Sequence, residues 1–199
     1  STYMTKTYEA NDIQVLEGLD AVRMRPGMYI GTTGLRGLHH LLWEIVDNGV
    51  DEAANGFATT VDVILNSDNS VTVIDDGRGI PVGMHDTMKI SGVQVVFTQL
   101  HAGGKFNDSN YNYSGGLHGV GASVVNALSR WLEAEVYVDG QAYRQRYESY
   151  EKDGKKYVGK PVTELEKLGS TNFRGTKITF LPDDKIFEET VFSADILKQ

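Results

Sequence analysis

The sequence predicts an α+β domain in which one largely antiparallel, mixed sheet carries its helices on a single face. Two observations support this: segments with strand character are joined in pairs by short turns, and segments with helical spacing stand apart from them. No composition shift or Pro/Ser-rich linker divides the 199 residues. We therefore predict one domain over residues 13–199, after a polar N-terminal arm formed by residues 1–12.

Two helices are predicted in the first third of the chain. Apolar residues at helical spacing begin at Ile13, and Arg25-Pro26-Gly27 should end that helix, after which Met28-Tyr29-Ile30 is expected to be buried. A longer helix is expected from about Leu38 to Asn55, with Gly56 as its C-cap.

Strand character recurs in five short segments, 61–65, 71–74, 132–138, 142–150 and 177–181. The first two flank a polar turn and the next two flank Asp139-Gly140, so both pairs are predicted to be hairpins. Further helices are expected over 93–100, where β-branched residues also suit a strand, over 122–128, and from Ser193. Residues 102–121 are rich in Gly, Asn and Ser, which is typical of a functional or mobile loop.

The predicted long helix concentrates acid on one stripe. Glu44, Asp47, Asn48 and Asp51 share about a third of its circumference. The opposite side, expected to face the core, consists of Leu42, Trp43, Val46, Val50 and Ala53. No cation lies within residues 43–52, so we expect a compensating group outside the helix. A solvated face is the alternative, but the neutral oxygen donor Asn48, and Gly49 as a point of close approach, favour a magnesium site.

Two further segments suggest a nucleotide. The spacing of Gly116–Gly121 resembles a dinucleotide motif, yet it follows a loop and lacks a βαβ frame, which argues against a Rossmann fold. Its glycines before a helix start indicate a phosphate cradle, to which Lys105 would add charge. Asp75, at a predicted strand end, could accept a hydrogen bond from the amino group of adenine, with help from the Thr176 hydroxyl. An ordinary turn is the alternative.

His40 lies four residues before Glu44 on the same helix face, where an imidazole could orient a general base. A surface histidine is the alternative. The chain has no cysteine, which fits a reducing compartment, and no apolar run of membrane length, so we expect a cytoplasmic protein. The net charge of -8 gives nucleic acid no favourable long-range field, and any contact with DNA is expected outside this domain.

The order and content of five motifs resemble the GHKL ATPases, which include gyrase B subunits, Hsp90-type chaperones, histidine kinases and MutL proteins. The motifs are Arg25-Pro-Gly-Met-Tyr-Ile-Gly31, Glu44-Ile-Val-Asp-Asn48, Asp75-Asp-Gly-Arg-Gly-Ile-Pro81, Leu100-His-Ala-Gly-Gly-Lys-Phe106 and Ser114-Gly-Gly-Leu-His-Gly-Val-Gly121. Within that superfamily they are most similar to the ATPase domain of bacterial type IIA topoisomerases. The resemblance implies a two-layer sandwich of the Bergerat type.

The resemblance also implies roles for individual residues. Glu44 would be the general base, His40 its orienting partner and Asn48 the ligand to Mg²⁺. Asp75 would bind the adenine amino group with Thr176, and Arg78 would lie along the base and pair with Glu52. The remaining residues expected at the ATP site are Gly79, Ile80 and Pro81 at the pocket mouth, Lys105, Leu117, His118, Gly119, Val120 and Gly121 at the phosphates, Tyr111 in the lid, and Tyr8 of the arm, which would reach the partner protomer's nucleotide.

By the same resemblance, ATP binding would close a homodimer gate around DNA, and a separate A-type subunit would cleave the DNA. Aminocoumarin-type inhibitors would share the ATP pocket. In this family a transducer domain, absent from these 199 residues, adds a lysine at the γ-phosphate, so we expect this segment to bind ATP but to hydrolyse it weakly. The motifs fit the ATPase subunits of gyrase and of topoisomerase IV equally, and both alternatives stay open. The rival hypotheses are a chaperone or mismatch-repair ATPase, or a nucleotide-binding module without turnover.

Overall fold

The structure, a computed structural model of the chain, describes residues 18–100 and 121–192. The helices in these residues are α1 Leu19–Met24, α2 Gly27–Ile30, α3 Leu35–Ala54, α4 Gly92–Thr98 and α5 Ala122–Ala127. The strands are β1 Val61–Leu65, β2 Val71–Asp75, β3 Ser129–Val138, β4 Gln141–Lys152, β5 Lys155–Pro161, β6 Glu166–Ser170 and β7 Gly175–Pro182. Predictions for the arm, the start of the first helix, most of the glycine loop and the helix from Ser193 lie outside the described residues.

The described strands form one sheet in the order β1-β2-β7-β3-β4-β5, and β6 also pairs with β4. Every pairing among them is antiparallel. Both hairpin turns of the β3-β4-β5 unit have two residues with positive φ, Asp139-Gly140 and Asp153-Gly154, as type I′ turns require. The predicted α+β class is confirmed.

The core lies between one face of the sheet and the helices. Alternate residues of β3 and β7 are buried there, and every residue of α5 is buried. The largest aliphatic and aromatic contributions come from Leu38, Leu41, Leu42, Phe97, Leu128, Leu132, Tyr147 and Phe180. Because the helices cover one face only, the strands alternate between buried and partly exposed residues, which explains why their period was visible in the sequence.

Helix α3 begins three residues earlier than predicted. Its N-cap is Gly34, and Gly37, which precedes the predicted start, is buried inside the helix. A Cβ at Gly37 would lie 1.7 Å from the backbone oxygen of Thr32, so only glycine fits this approach. For α4 the helical alternative is confirmed, since Ser91 caps it by accepting a hydrogen bond from the Gln94 N–H at 3.1 Å.

Two strands were not predicted. Strands β5 and β6 flank β4 with many exposed charged residues and no clear apolar alternation, a pattern typical of strands at a sheet edge. The expectation that Met28 is buried was also wrong, because its side chain is 73% exposed and the single turn of α2 buries only Ile30. Within the described residues, no helix combines the length and apolar character that a membrane crossing requires.

Candidate active site

Helix α3 buries Glu44 and Asn48 of the predicted acidic stripe together with Glu52, whereas Asp47 and Asp51 are only partly buried. Glu44, Asn48 and Glu52, spaced four residues apart, are only 1%, 6% and 8% exposed. The predicted core side was partly wrong, because Val50 is 46% exposed and Ala53 is also exposed. Hydrophobic periodicity places apolar residues inside, whereas this helix also buries polar residues that find partners in other elements. Charged groups are buried when they are paired, so partners in other elements allow Glu44 and Glu52 to lie beside the buried apolar residues of this helix.

Arg78 is the compensating cation outside the helix. Its Nη2 lies 2.6 Å from Glu52 Oε1, and its Nε donates to Glu52 Oε2 at 3.2 Å. The backbone N–H of Arg78 also donates to Glu52 Oε2, at 2.9 Å. The guanidinium lies over the ring of Phe57, 3.7 Å from its centroid. Glu52 is therefore paired through both oxygens, and the segment after β2 is fastened to the end of α3.

Glu44 has contacts from two directions. Its Oε1 accepts a hydrogen bond from the N–H of Gly121 at 2.9 Å, at the start of α5. His40, one turn earlier, places Nε2 3.5 Å from Glu44 Oε2, while its Nδ1 lies 3.4 Å from the backbone oxygen of Ile30. A buried carboxylate thus lies between an imidazole and a backbone amide, an arrangement suited to receiving and holding a proton.

Asn48 presents an oxygen that no described residue satisfies. Its amide nitrogen donates to the backbone oxygen of Glu44 at 3.2 Å, whereas its buried Oδ1 has no hydrogen-bond partner among the described residues. A buried polar atom without a partner is costly and calls for an explanation. A neutral amide oxygen beside carboxylates suits a hard cation such as Mg²⁺, which takes one or two protein ligands and fills its shell with water and phosphate.

Asp75 ends β2 directly opposite Thr176 of β7. Its Oδ1 accepts a hydrogen bond from the Gly77 N–H at 2.9 Å. Burial raises the pKa of Asp75 to about 6, and the nearby charges of Glu52 and Asp76 raise this pKa further, while backbone hydrogen bonds from Gly77 and Thr176 oppose the increase. Asp75 is thus a carboxylate held in a position that costs free energy when it is ionised.

Thr176 joins the same corner through its hydroxyl, whose Oγ1 accepts a hydrogen bond from the Ile80 N–H at 3.2 Å. Gly79 has a φ of 82°, and a Cβ there would lie 2.7 Å from a methyl carbon of Val138. Ile80 is fully buried in the core and Pro81 is half-buried. The segment after Asp75 is therefore fixed against β3 and β7.

A set of hydrogen bonds on the other side of this segment was not predicted from the sequence. Asp76 points away from Asp75 and accepts hydrogen bonds from the N–H groups of Thr59 and Thr60, at 2.7 and 2.9 Å, and from the Thr59 hydroxyl. Hydrogen bonding to Thr59 and Thr60 lowers the pKa of Asp76 to about 2. Arg174 donates to the backbone oxygens of Phe57 and Asp76, at 2.6 and 3.3 Å. Side-chain alternation in β2 could have shown that Asp75 and Asp76 face opposite ways.

The close approach expected at Gly49 is made by the chain itself. A Cβ at Gly49 would lie 3.1 Å from both methyl carbons of Val61 and 3.3 Å from the Cβ of Asp75. Glycine therefore lets α3 lie against β1 and β2 at the position of Asp75. Among the described residues no group of three or more His, Asp or Glu side chains is arranged to hold a metal ion.

The structure brings together Glu44, His40, Asn48, Gly121, Asp75, Arg78 and Thr176 around α3, the end of β2 and the start of β7. The predicted residues Gly79, Ile80 and Pro81 lie in the segment after Asp75. The remaining predicted site residues lie outside the described residues; these are Tyr8, Lys105, Tyr111, Leu117, His118, Gly119 and Val120. The carboxylate, imidazole and amide groups therefore surround one corner of the domain, and this corner is the candidate active site.

The class of protein follows from comparison with known families. The profile of the histidine kinase-, DNA gyrase B- and HSP90-like ATPases matches residues 34–186, which include α3, the whole sheet and the candidate site. The chain belongs to this family, and the resemblance noted in the sequence is confirmed.

Within this family, the chain is similar to B subunits of bacterial DNA gyrases and of DNA topoisomerase 4. The chain is 57% identical over 191 residues to the DNA gyrase B subunit of Thermotoga maritima. It is 57% identical over 194 residues to the DNA topoisomerase 4 B subunit of Streptococcus pneumoniae, and 58% identical over 193 residues to that of Enterococcus faecalis. Each match covers 96% of this chain but only 27% to 29% of the relative, so the chain spans less than a third of their length.

Proposed function

We propose that this chain is the ATP-binding and ATP-hydrolysing domain of a bacterial type IIA DNA topoisomerase. The observation that carries the proposal is the pairing of buried Glu44 with His40 and the Gly121 amide, on the same helix as the Asn48 oxygen that no described residue satisfies. Family membership and the relatives' names support it. A module that only binds nucleotide has no use for a buried general base.

In the proposed reaction Glu44 accepts a proton from the water that attacks the γ-phosphorus of ATP, while the bond from that phosphorus to the bridging oxygen breaks and ADP leaves with the electron pair. His40 would orient the carboxylate, because its Nε2 lies 3.5 Å from Glu44 Oε2. The Gly121 amide holds Glu44 Oε1. A phosphate oxygen that takes this amide would leave Oε1 available to the water, so binding of the phosphates and activation of the base would be coupled.

Asn48 would hold Mg²⁺ through Oδ1, since this buried oxygen has no partner among the described residues. The bound ion would neutralise charge on the phosphates. The amide nitrogen of Asn48 stays on the Glu44 carbonyl, which fixes the direction of Oδ1. Asn48 therefore acts by position and not by proton transfer.

Asp75 would select adenine. Ionised, it offers a carboxylate acceptor to the exocyclic amine, and a guanine base presents an oxygen at that place. Thr176 would assist through its hydroxyl, and Arg78, fixed by Glu52 and Phe57, would lie along the base. Aminocoumarin-type inhibitors would enter the same pocket.

In the whole protein, ATP binding would close a homodimer gate, with Tyr8 reaching the partner's nucleotide, and DNA cleavage would belong to an A-type subunit. The transducer lysine would complete the γ-phosphate site, so the 199 residues alone would bind ATP and turn it over weakly. Sedimentation of a longer segment that includes the transducer tests the gate. The absence of nucleotide-dependent dimers would contradict it.

The first experiment is calorimetric titration of the chain with a non-hydrolysable ATP analogue, with and without Mg²⁺. We expect Mg²⁺-dependent binding of the adenine analogue and at least tenfold weaker binding of the GTP analogue, because guanine leaves Asp75 unpaired. Asn48→Ala should remove most of the Mg²⁺ dependence while keeping adenine selectivity. Equal affinity for the two bases would contradict the role of Asp75.

The second experiment separates an enzyme from a binding module. In the full-length subunit, Glu44→Ala is expected to leave analogue affinity within about threefold and to reduce turnover by roughly a hundredfold or more, in line with loss of a general base. Arg36→Ala, an exposed residue near the start of α3, serves as the control. Turnover that survives Glu44→Ala would show that another group is the base.

A further inference from the structure

One hairpin of this acidic chain carries a local excess of lysine. Residues 150–160 carry four lysines, one glutamate and one aspartate, although the whole chain has a net charge of -8. They form the end of β4, the Asp153-Gly154 turn and most of β5, and all four lysines are exposed. The negative net charge of the whole chain therefore does not describe this local surface, which is basic.

One of the cross-strand pairs in this hairpin brings two lysines together. Lys152 and Lys155 are directly opposite one another in the strand register, and like charges in that position destabilise a hairpin. Glu151 faces Lys156 and Glu148 faces Lys160 in the same register. Among the described residues, however, none of the four lysines forms an ion pair, and Glu148 binds Arg146 instead. The arrangement is explained if an external anion lies across the lysines.

Two tyrosines form a platform beneath the ammonium groups. The rings of Tyr150 and Tyr157 stack at 4.8 Å between centroids with an interplanar angle of 20°. The Nζ atoms of Lys160 and Lys155 lie 4.5 and 5.4 Å from the centroid of Tyr157. These cation–π contacts hold the ammonium groups of Lys155 and Lys160 together at the Tyr157 ring.

The surface beside the hairpin is concave. A cavity of about 770 Å³ lies between the hairpin, α1 and the end of β7, and its basic lining residues are Arg23, Arg130, Lys156 and Lys185. Its acidic residues are Asp20, Glu151 and Asp183, of which Asp183 is paired with Arg23 at 2.7 Å. A second cavity of about 390 Å³ carries Lys155, Lys156 and Lys160 along its wall. Basic groups therefore line grooves beside Tyr157.

We propose that this lysine–tyrosine hairpin, residues 150–160, contacts the phosphate backbone of double-stranded DNA. A duplex carries one charge per roughly 1.7 Å of its axis, and the ammonium groups of Lys155 and Lys160 lie together at the ring of Tyr157, which suits closely spaced phosphates. The relatives are named for their action on DNA, so this polyanion is the one the domain meets. The proposal rests on the family and not on the nucleotide site.

The hairpin also lies away from the candidate active site. Asp75 is on β2, and the strands β7, β3 and β4 separate β2 from β5 in the sheet. Four strand spacings correspond to about 19 Å. DNA on the hairpin would therefore leave the nucleotide pocket open, and the two contacts can be tested separately.

Site-specific cross-linking in the full-length subunit, assembled with its A-type partner, tests the location. A benzoylphenylalanine photo-cross-linker replaces Lys156 in one protein and Lys167 of β6 in a control, and both are irradiated with a labelled duplex. Labelled DNA should attach at position 156 and not at position 167. Cross-linking of position 156 to protein only would show that the surface serves another partner. No cross-linking at position 156 would show that DNA does not contact it. Either result would overturn the proposal.

Charge reversal tests the energetics. Lys155→Glu/Lys156→Glu is compared with Lys89→Glu/Lys167→Glu, which changes the net charge equally outside the hairpin. Duplex affinity of the hairpin variant should fall at least tenfold at low salt, and the slope of log K against log salt should decrease by about 2, because each lost phosphate contact removes about 0.9. Equal losses in both variants would contradict a local contact. ATP-analogue affinity and melting temperature should stay unchanged in both double variants. If both variants lost analogue binding, that result would count against the proposed nucleotide site and not against the DNA contact.

Discussion

The candidate active site and the lysine–tyrosine hairpin treat charge in opposite ways. At the active site Glu44 and Glu52 are buried and each has partners from other elements. At the hairpin the lysines are exposed and form no ion pairs with described residues. Water stabilises an exposed charge, whereas a buried one needs a partner, so substitutions should have large effects at the first region and small ones at the second.

The largest effect is expected from breaking the Glu52–Arg78 pair. Arg78→Ala leaves a buried carboxylate without its cation and should lower the free energy of unfolding by about 3 to 5 kcal/mol. Urea denaturation measures the change. Lys155→Ala in the hairpin is the matched control and should stay within about 0.5 kcal/mol. Restoring part of the loss with Glu52→Gln/Arg78→Ala would show that the isolated charge, and not lost packing on Phe57, is responsible.

Asp75 is the exception within the active site, because its charge is only partly compensated. Its pKa is raised to about 6 in the folded chain, against about 3.8 when unfolded, so the folded state binds the proton more tightly. Stability is therefore lost as the pH rises from about 4 to about 6, by roughly 2 to 3 kcal/mol. Asp75→Asn should recover this amount at pH 8, change little at pH 4, and weaken ATP-analogue binding.

Unfolding curves of the parent and of Asp75→Asn at the two pH values check this sign. Equal stabilisation at pH 4 and pH 8 would show that ionisation of Asp75 is not the cause. Affinity of the parent chain for the ATP analogue should in turn rise as the pH passes through about 6, because the ionised carboxylate is the acceptor.

Gly49→Ala tests how closely helix α3 packs against the sheet at the active site. Alanine should gain roughly 0.5 to 1 kcal/mol in a helix interior, but its Cβ would meet Val61 at 3.1 Å and Asp75 at 3.3 Å. We expect the two effects to offset, with a net change within about 1 kcal/mol. Gly49→Ala/Val61→Ala should then be more stable than Val61→Ala alone. Thermal denaturation of the three variants measures this. A double variant less stable than Val61→Ala alone would contradict the contact between position 49 and Val61.

The smallest effect is expected from Lys152→Glu, which replaces a like-charge pair with Lys155 by an opposite-charge pair. The gain should be about 0.2 to 1 kcal/mol and should shrink at high salt, because the pair is exposed. Melting temperatures at two salt concentrations check it. A gain that is independent of salt would point to a cause other than charge.

Local patterns predicted the features that depend on short stretches of chain. The β1–β2 hairpin, the Asp139-Gly140 turn and α5 follow from alternation, turn chemistry and apolar runs. Strand β5 was missed because its lysines and glycine follow no apolar alternation, and its pairing with β4 supplies what its own sequence lacks. The motif resemblance supplied the list of candidate residues, but not which of their atoms meet.

The sequence by itself determined the fold class, the family and the set of polar residues at the site, since these depend on periodicity and on motifs that keep their order along the chain. Only the tertiary structure decided which side of α3 is buried. Glu44 meets Gly121 from 77 positions away, and Glu52 meets Arg78 from 26 positions away. Such partners offset the desolvation cost of burying a carboxylate. Because these partners are distant in sequence, the hydrophobic pattern around the carboxylate does not reveal them.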